Sequence, residues 1–298
     1  MTSARPSPEA HLLAWQGLEV PLRDDWRPLR IEGGYSKGSV TVGDIEGPIF
    51  QVRWIRPPKG ADTDGWIKAR RQSVAAGQES RGAPRPEGFD SVSWIKNLAV
   101  REESKKTVWW GRSPRANALV EILLTNLRGT EVNTQFIKDS LPKLRVVPPS
   151  EDSWWRIYSA RFFVPAGYRL ARQRLATGDI ALEFVRGWGE RLLVRQVYPA
   201  ALALERRSMA GWLRDPVFKE HRRFRRETED RHEGRRIRWT GWKRLPFPLG
   251  WITPRRCDSI ILQNRDLDRL LIAESQWTEG TDVVPVDKIA DGMLWSAA

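Results

Sequence analysis

The sequence predicts an α+β protein built from two duplicated antiparallel-sheet domains. Each carries one helix inserted between strand groups and packed on the sheet. Three observations predict this. A series of short motifs occurs twice in the same order, the copies about 140 to 145 positions apart. Most of those motifs alternate apolar and polar residues with the period of a half-buried strand. In each half, a stretch with helical spacing separates an early strand group from a late one. The chain has 298 residues, which is the length of two ordinary domains.

The elements follow in order. GLEVPLRDDWRPL (17–29) and ARFFVPAGYRLA (160–171) both read apolar–Val–Pro, a short turn, then an aromatic, Trp26 or Tyr168. GSVTV (38–42) and GDIALEF (178–184) each open on glycine and alternate. IFQVRW (49–54) and LLVRQV (192–197) share a Val-Arg pair, Val52-Arg53 and Val194-Arg195. Then the period changes. DGWIKARRQSVAAG (64–77) and PAALALERRSMAGWL (199–213) read as helices, the second with Ala200, Ala203, Leu204 and Met209 near one face. Strands return with DSVSWIK (90–96) and RRIRWTG (235–241), where Val92 and Trp94, then Ile237 and Trp239, share faces. VWWGR with ALVEILLTN (118–126), and CDSIIL with DRLLIAES (268–275), close the halves. Each half therefore reads β-β-β-α-β-β-β, with helix on sheet. The proline-bearing LPKLRVVPPSEDS (141–153) is expected to link domain 1–140 to domain 154–298.

This order of a VP-turn-aromatic start, a glycine-led hairpin and a helix between strand groups resembles the Mog1/PsbP-like α+β fold in tandem. It also resembles duplicated prokaryotic proteins without an assigned role. The resemblance implies a protein that binds others or assists assembly rather than a catalyst. It carries no position-specific motif, so it transfers no site residue.

Composition narrows the function classes. Hydrophobic residues make up 40% and charged residues 29%, a globular balance. Net charge is +13, mostly arginine, which attracts nucleic acid, anionic surfaces or acidic proteins. The single cysteine, Cys257, excludes an internal disulfide and a cysteine-based zinc cluster. Together with an N-terminus lacking an apolar signal run, this leads to the expectation of a cytoplasmic protein without membrane insertion.

Catalytic motifs are missing from the sequence. His11, His221 and His232 have no metal-ligand spacing, and no phosphate-binding glycine motif occurs. EGGYSKGS (32–39) reads as a hairpin turn. The arginines before Cys257 would favour a thiolate, but the residue reads as an ordinary strand position. Asp179 and Glu183 share a strand face, as nuclease carboxylates would, yet that alternation also describes a plain amphipathic strand. The expectation is no catalytic set, no metal and no cofactor; a metal-dependent nuclease or other hydrolase is a distant third reading.

The strongest candidate is HRRFRRETEDRHEGRRIRWTGWKR (221–244). Between Glu205 and Arg244 the chain has fourteen Lys or Arg against seven Asp or Glu. A helix over 216–230 would bury Val217, Phe218, His221 and Phe224 and display Arg222, Arg223, Arg225 and Arg226. The following strand would turn Arg236 and Arg238 away from Ile237 and Trp239, with Trp242, Lys243 and Arg244 beyond. Guanidinium forks suit phosphates and carboxylates, and Trp242 could stack on a base. Interleaved acids favour a solvated or protein-facing surface over a nucleic-acid arm. Trp109 and Trp110 join the candidates, because adjacent strand residues face opposite ways and one of them is left for a partner. Trp154 and Trp155 are expected to be used where the domains pack. The leading expectation is a non-enzymatic binding or accessory protein with a basic, Trp-rich surface that docks an acidic protein. Sequence-nonspecific nucleic-acid binding is the alternative.

Overall fold

The computed structural model describes residues 12–58, 60–73, 78–79, 83–99, 105–125, 134–158, 160–187, 189–214, 217–218, 225–232, 236–243, 255–278 and 283–294. They form two units, residues 1–149 with 155–158, and residues 150–154 with 159–298. Strand dominates both, and every strand pairing described is antiparallel. Among the described residues no helix is long and apolar enough to cross a membrane.

The first unit opens with β1 (Leu12–Trp15) and β2 (Leu18–Pro21), joined by Gln16 and Gly17, both at positive φ. That two-residue turn pairs Trp15 with Leu18 in the tight hairpin geometry that Gly favours. β3 (Arg27–Gly33), β4 (Lys37–Asp44) and β5 (Gly47–Ile55) follow. Then come α1 (Thr63–Ser73), β6 (Gln78–Glu79), β7 (Ser91–Ala99), β8 (Lys105–Ser113) and β9 (Ala118–Thr125). They make a seven-stranded sheet of order β3-β4-β5-β9-β8-β7-β6. Alternation places Val40, Val42, Phe50, Val52, Val120, Ile122 and Leu124 on one face, all buried. Phe50 there meets Phe136 with ring centroids 4.4 Å apart, and Trp26 packs on both rings. The opposite face receives Trp66 of α1 against Val108, Trp110 and Leu123.

The stretch expected to be a linker has structure of its own. A π-helical turn (Phe136–Ser140) and a 3-10 turn (Leu141–Lys143) bury Phe136, Leu141 and Leu144 in the first unit. β10 (Arg145–Val146) then pairs with β2. β11 (Ser153–Ile157) pairs with β1 through Ala14 and Arg156. Trp155 packs edge-on against Trp15 at 5.1 Å.

In the second unit, β12 (Ala160–Val164) precedes β13 (Arg169–Ala176), β14 (Asp179–Arg186) and β15 (Glu190–Val197). Two short helices follow, α2 (Ala200–Arg206) and α3 (Met209–Arg214), where the sequence predicted one. β16 (Arg225–His232), β17 (Arg236–Lys243), β18 (Arg255–Asn264) and β19 (Arg269–Thr278) complete a sheet of order β13-β14-β15-β19-β18-β17-β16. α2 and α3 cover one face, burying Ala200, Ala203, Met209 and Leu213 against Ile237, Trp239, Ile261, Leu270 and Ile272. α4 (Val286–Leu294), which the sequence reading overlooked, packs against β12, β18 and β19. Its buried Val286, Ile289, Ala290 and Met293 have the i, i+3, i+4, i+7 spacing of an amphipathic helix.

Two expectations are corrected. The molecule is mostly sheet, and the helices are small additions to it rather than a layer of comparable weight. The helix expected over 216–230 is not what forms at 225–232: those residues make β16, an edge strand laddered to β17 from Arg225↔Trp242 to His232↔Arg236. An edge strand tolerates charges on both faces, so RRETEDRH carries no apolar alternation. The unpaired rim of β17 supplies the hydrogen bonds that set its conformation. Residues 219–224 lie outside the described set.

Candidate binding surface

The largest charged constellation described lies on β13, β14 and β15, outside the segment the sequence singled out. Strand alternation puts Arg172 and Arg174 on one face of β13. Cross-strand register sets Glu183 opposite Arg172, and Ala181 opposite both Arg174 and Arg195. Asp179 is two residues from Ala181, and Arg191 is four from Arg195, so all six charged side chains share this face.

Two carboxylates organise four guanidiniums. Arg195, only 4% exposed, holds Asp179 with both Nε and Nη2 at 2.8 Å. Its planar face stacks over Trp212 of α3, 4.8 Å from the ring centroid. Arg174 Nη2 approaches the same Asp179 at 3.5 Å. Glu183 is wholly buried; Arg191 Nη1 donates to its Oε1 at 2.5 Å, and Arg172 Nε lies 3.4 Å from its Oε2. Arg172 also covers the ring of Phe218. Four positive and two negative groups leave an excess of two charges. Arg172 and Arg174 carry it outward, their side chains 43% and 52% exposed. Burial of Glu183 and Arg195 fixes the frame, and the exposed guanidiniums are held part-way to one geometry, which lowers the entropy an incoming carboxylate must remove.

The matching face of the first unit is different. Arg53 Nη1 meets buried Glu121 Oε1 at 3.1 Å, and Trp110 Nε1 donates to Glu121 Oε2 at 2.9 Å. Around them are Ser39, Thr41 and Gln51, whose amide reaches both hydroxyls. Arg30 pairs with Glu32 on the same face and Lys37 stands at its end, so among the described residues this surface too is charged, with Arg30 and Arg53 each matched by one carboxylate.

Of the residues expected to bind, those of the 221–244 segment that are described lie on the paired strands β16 and β17, and Trp109 and Trp110 lie on β8 of the first unit. Arg222, Arg223 and Arg244 lie outside the described residues. Arg225 and Arg226 open β16 and Lys243 closes β17, and the structure describes the strands but not those side chains. Arg236 and Arg238 do point away from Ile237 and Trp239, but toward α4 rather than toward open solvent. Arg236 bonds Asp287 of α4, while Arg238 holds Asp258 at 2.6 and 3.0 Å and Asp287 at 3.0 Å. Trp242 is half-buried opposite Arg225. Trp109 and Trp110 do take opposite faces, yet both are buried. Trp109 donates to the Pro84 carbonyl at 2.9 Å and meets Phe89 edge-on. Every tryptophan whose exposure is described is buried or half-buried, so none of the described tryptophans is a fully exposed platform.

Asp179 and Glu183 share a face as their spacing required, but each is occupied by arginines. Among the described residues no three His, Cys, Asp or Glu side chains gather as a metal would need. Cys257 is buried and its sulfur lies 3.5 Å from the Ser259 hydroxyl. Burial, and then the neighbouring Glu274, push its thiol well above the ordinary value, which opposes a thiolate nucleophile. The sequence signal for the β13–β15 cluster was present in Arg172-x-Arg174 and Arg191-x-x-x-Arg195, but no single window holds it. Comparisons with protein-family models, with curated proteins and with solved structures find no match to this chain.

Proposed function

We propose that the protein is a non-enzymatic binding or accessory protein that docks an acidic protein partner through the arginine face of β13–β15. The observation that carries this is the four-to-two excess of guanidiniums over carboxylates, with Arg172 and Arg174 exposed on a buried Glu183–Arg195 frame. Fixed forks of this kind accept carboxylates in bidentate geometry. The acids within the cluster, and the lack of an exposed tryptophan among the described residues, favour a protein over a nucleic-acid strand, which would use stacking platforms. The common strand order of the two seven-stranded sheets supports a tandem duplication, with the second copy specialised by charge. It is also the basis for keeping the Mog1/PsbP-like resemblance as part of the proposal.

The test is a fluorescence anisotropy titration with a labelled Glu/Asp-rich peptide and with labelled DNA and RNA, at low and physiological salt. Arg172→Glu/Arg174→Glu is expected to weaken peptide binding by about tenfold or more, since each exposed charge is inverted. Unchanged peptide binding in that variant would sink the assignment. Nucleic-acid binding with a steep salt dependence, lost on changing Arg222, Arg223, Arg225 and Arg226 to Glu, would replace it with the second reading.

A further inference from the structure

Arg255 stands outside the carboxylate frame, and Arg191 is only partly engaged by it. Arg191 on β15 and Arg255 on β18 stand on either side of β19, in the order β15-β19-β18. Arg191 lies opposite Gln276, Gln276 opposite Cys257, and Arg255 opposite Thr278, so both arginines occupy the same end and the same face of the sheet. Both are half-buried. The Nε of each is buried and has no hydrogen-bond acceptor. Arg255 has no ion-pair or hydrogen-bond partner among the described residues. Its guanidinium rests against Gly189, where an added Cβ would stand 2.5 Å from Nη2, so glycine keeps that space open. Burial, and then the charge of Arg191, lower the Arg255 pKa, which places the two cations within mutual repulsion.

We propose that Arg191 and Arg255 form a binding site for a phosphate group, free or as a monoester. Two buried guanidinium donors without acceptors, facing each other across one strand, are unfavourable unless an anion sits between them. Glu183 already takes Arg191 Nη1, leaving Arg191 Nε and the whole Arg255 fork to oxygens spread around a tetrahedral centre. On the same face Glu183 and the buried Glu274 of β19 answer part of the positive charge of Arg172, Arg191 and Arg255, and the guanidinium donors that remain are left for an anion. This goes beyond the acidic-partner reading, because Arg255 lies outside β13–β15 and the two are broken by different substitutions.

The experiment is calorimetric titration of the full chain with inorganic phosphate at constant ionic strength, and separately with a phosphoserine peptide and its unphosphorylated form. Saturable phosphate binding is expected, weakened about tenfold or more by Arg255→Gln and changed little by Arg174→Glu. A phosphopeptide that binds more tightly than both free phosphate and the plain peptide assigns the anion to a modified partner. Equal or weaker phosphopeptide binding assigns it to free phosphate. No saturable binding of either, or equal binding by Arg255→Gln, overturns the site. Should Arg255→Gln not fold, phenylglyoxal labelling of the unmodified chain decides: phosphate is expected to protect Arg255, and labelling unaffected by phosphate overturns the proposal.

Discussion

Tyr168 shows how burial sets a residue's chemistry. It ends the VP-turn-aromatic motif, as Trp26 does in the first unit, and both are buried. Its pKa is pushed up to about 12, first by burial, with Arg186 over the ring opposing and Glu190 adding. The folded state therefore holds the phenol proton more tightly than the unfolded chain, whose tyrosine titrates near 10. The associated stability is present in full below pH 10 and is lost as pH rises from there to about 12. Tyrosinate absorbance should show one of the four tyrosines ionising near 12 or only with unfolding, and Tyr168→Phe should remove that component. Ionisation of all four near pH 10 in the folded protein would refute it. The motif was legible in the sequence because a buried aromatic after a Val-Pro turn recurs. The shift was not, since it comes first from the depth of burial that packing gives the ring, and then from Arg186 and Glu190 on later strands.

At the scale of elements, β8 and β9 are joined by more than their ladder. Trp110 and Glu121 are register partners, and the indole N–H donates to a carboxylate only 6% exposed. Trp110→Phe keeps an aromatic ring in place but strips a donor from a buried charge, which should cost about 2 kcal/mol or more. Chemical denaturation of the variant measures this; a loss below about 0.5 kcal/mol would mean that water or Arg53 replaces the indole. Strands that alternate toward a core were readable from their own residues, and GSVTV, IFQVRW and CDSIIL all fall in strands. β16 was not readable, because it is a strand by virtue of β17 beside it. α4 carried a clear apolar stripe outside the repeated motifs; at the matching place after β9 the described residues of the first unit form a π-helical and a 3-10 turn.

Over the whole molecule, the two seven-stranded sheets share one strand order. Both carry mostly buried strands at or beside the centre, β8 with β9 and β15 with β19. Amide hydrogen exchange should be slowest in these four and fastest in the rim strands β3, β6, β13 and β16. Rim strands as protected as the centre would show that something further covers them. A net charge of +13 makes any anionic partner salt-sensitive, whichever arginines it touches.

The sequence by itself determined most strands, their glycine turns and the repeated order, because side-chain period and turn chemistry act within a few residues. It also determined which side of a strand each arginine takes, as with Arg236 and Arg238 against Ile237 and Trp239. Only the tertiary structure decided what covers that side. α4 occupies Arg236 and Arg238, packing buries both Trp109 and Trp110, and Arg172, Arg174, Arg191, Arg195 and Arg255 meet on one face from three separate strands. Alternation reports a residue's position on its own strand. Which strands become neighbours is set by backbone pairing between segments far apart in the chain, and that pairing is what gathers the charges.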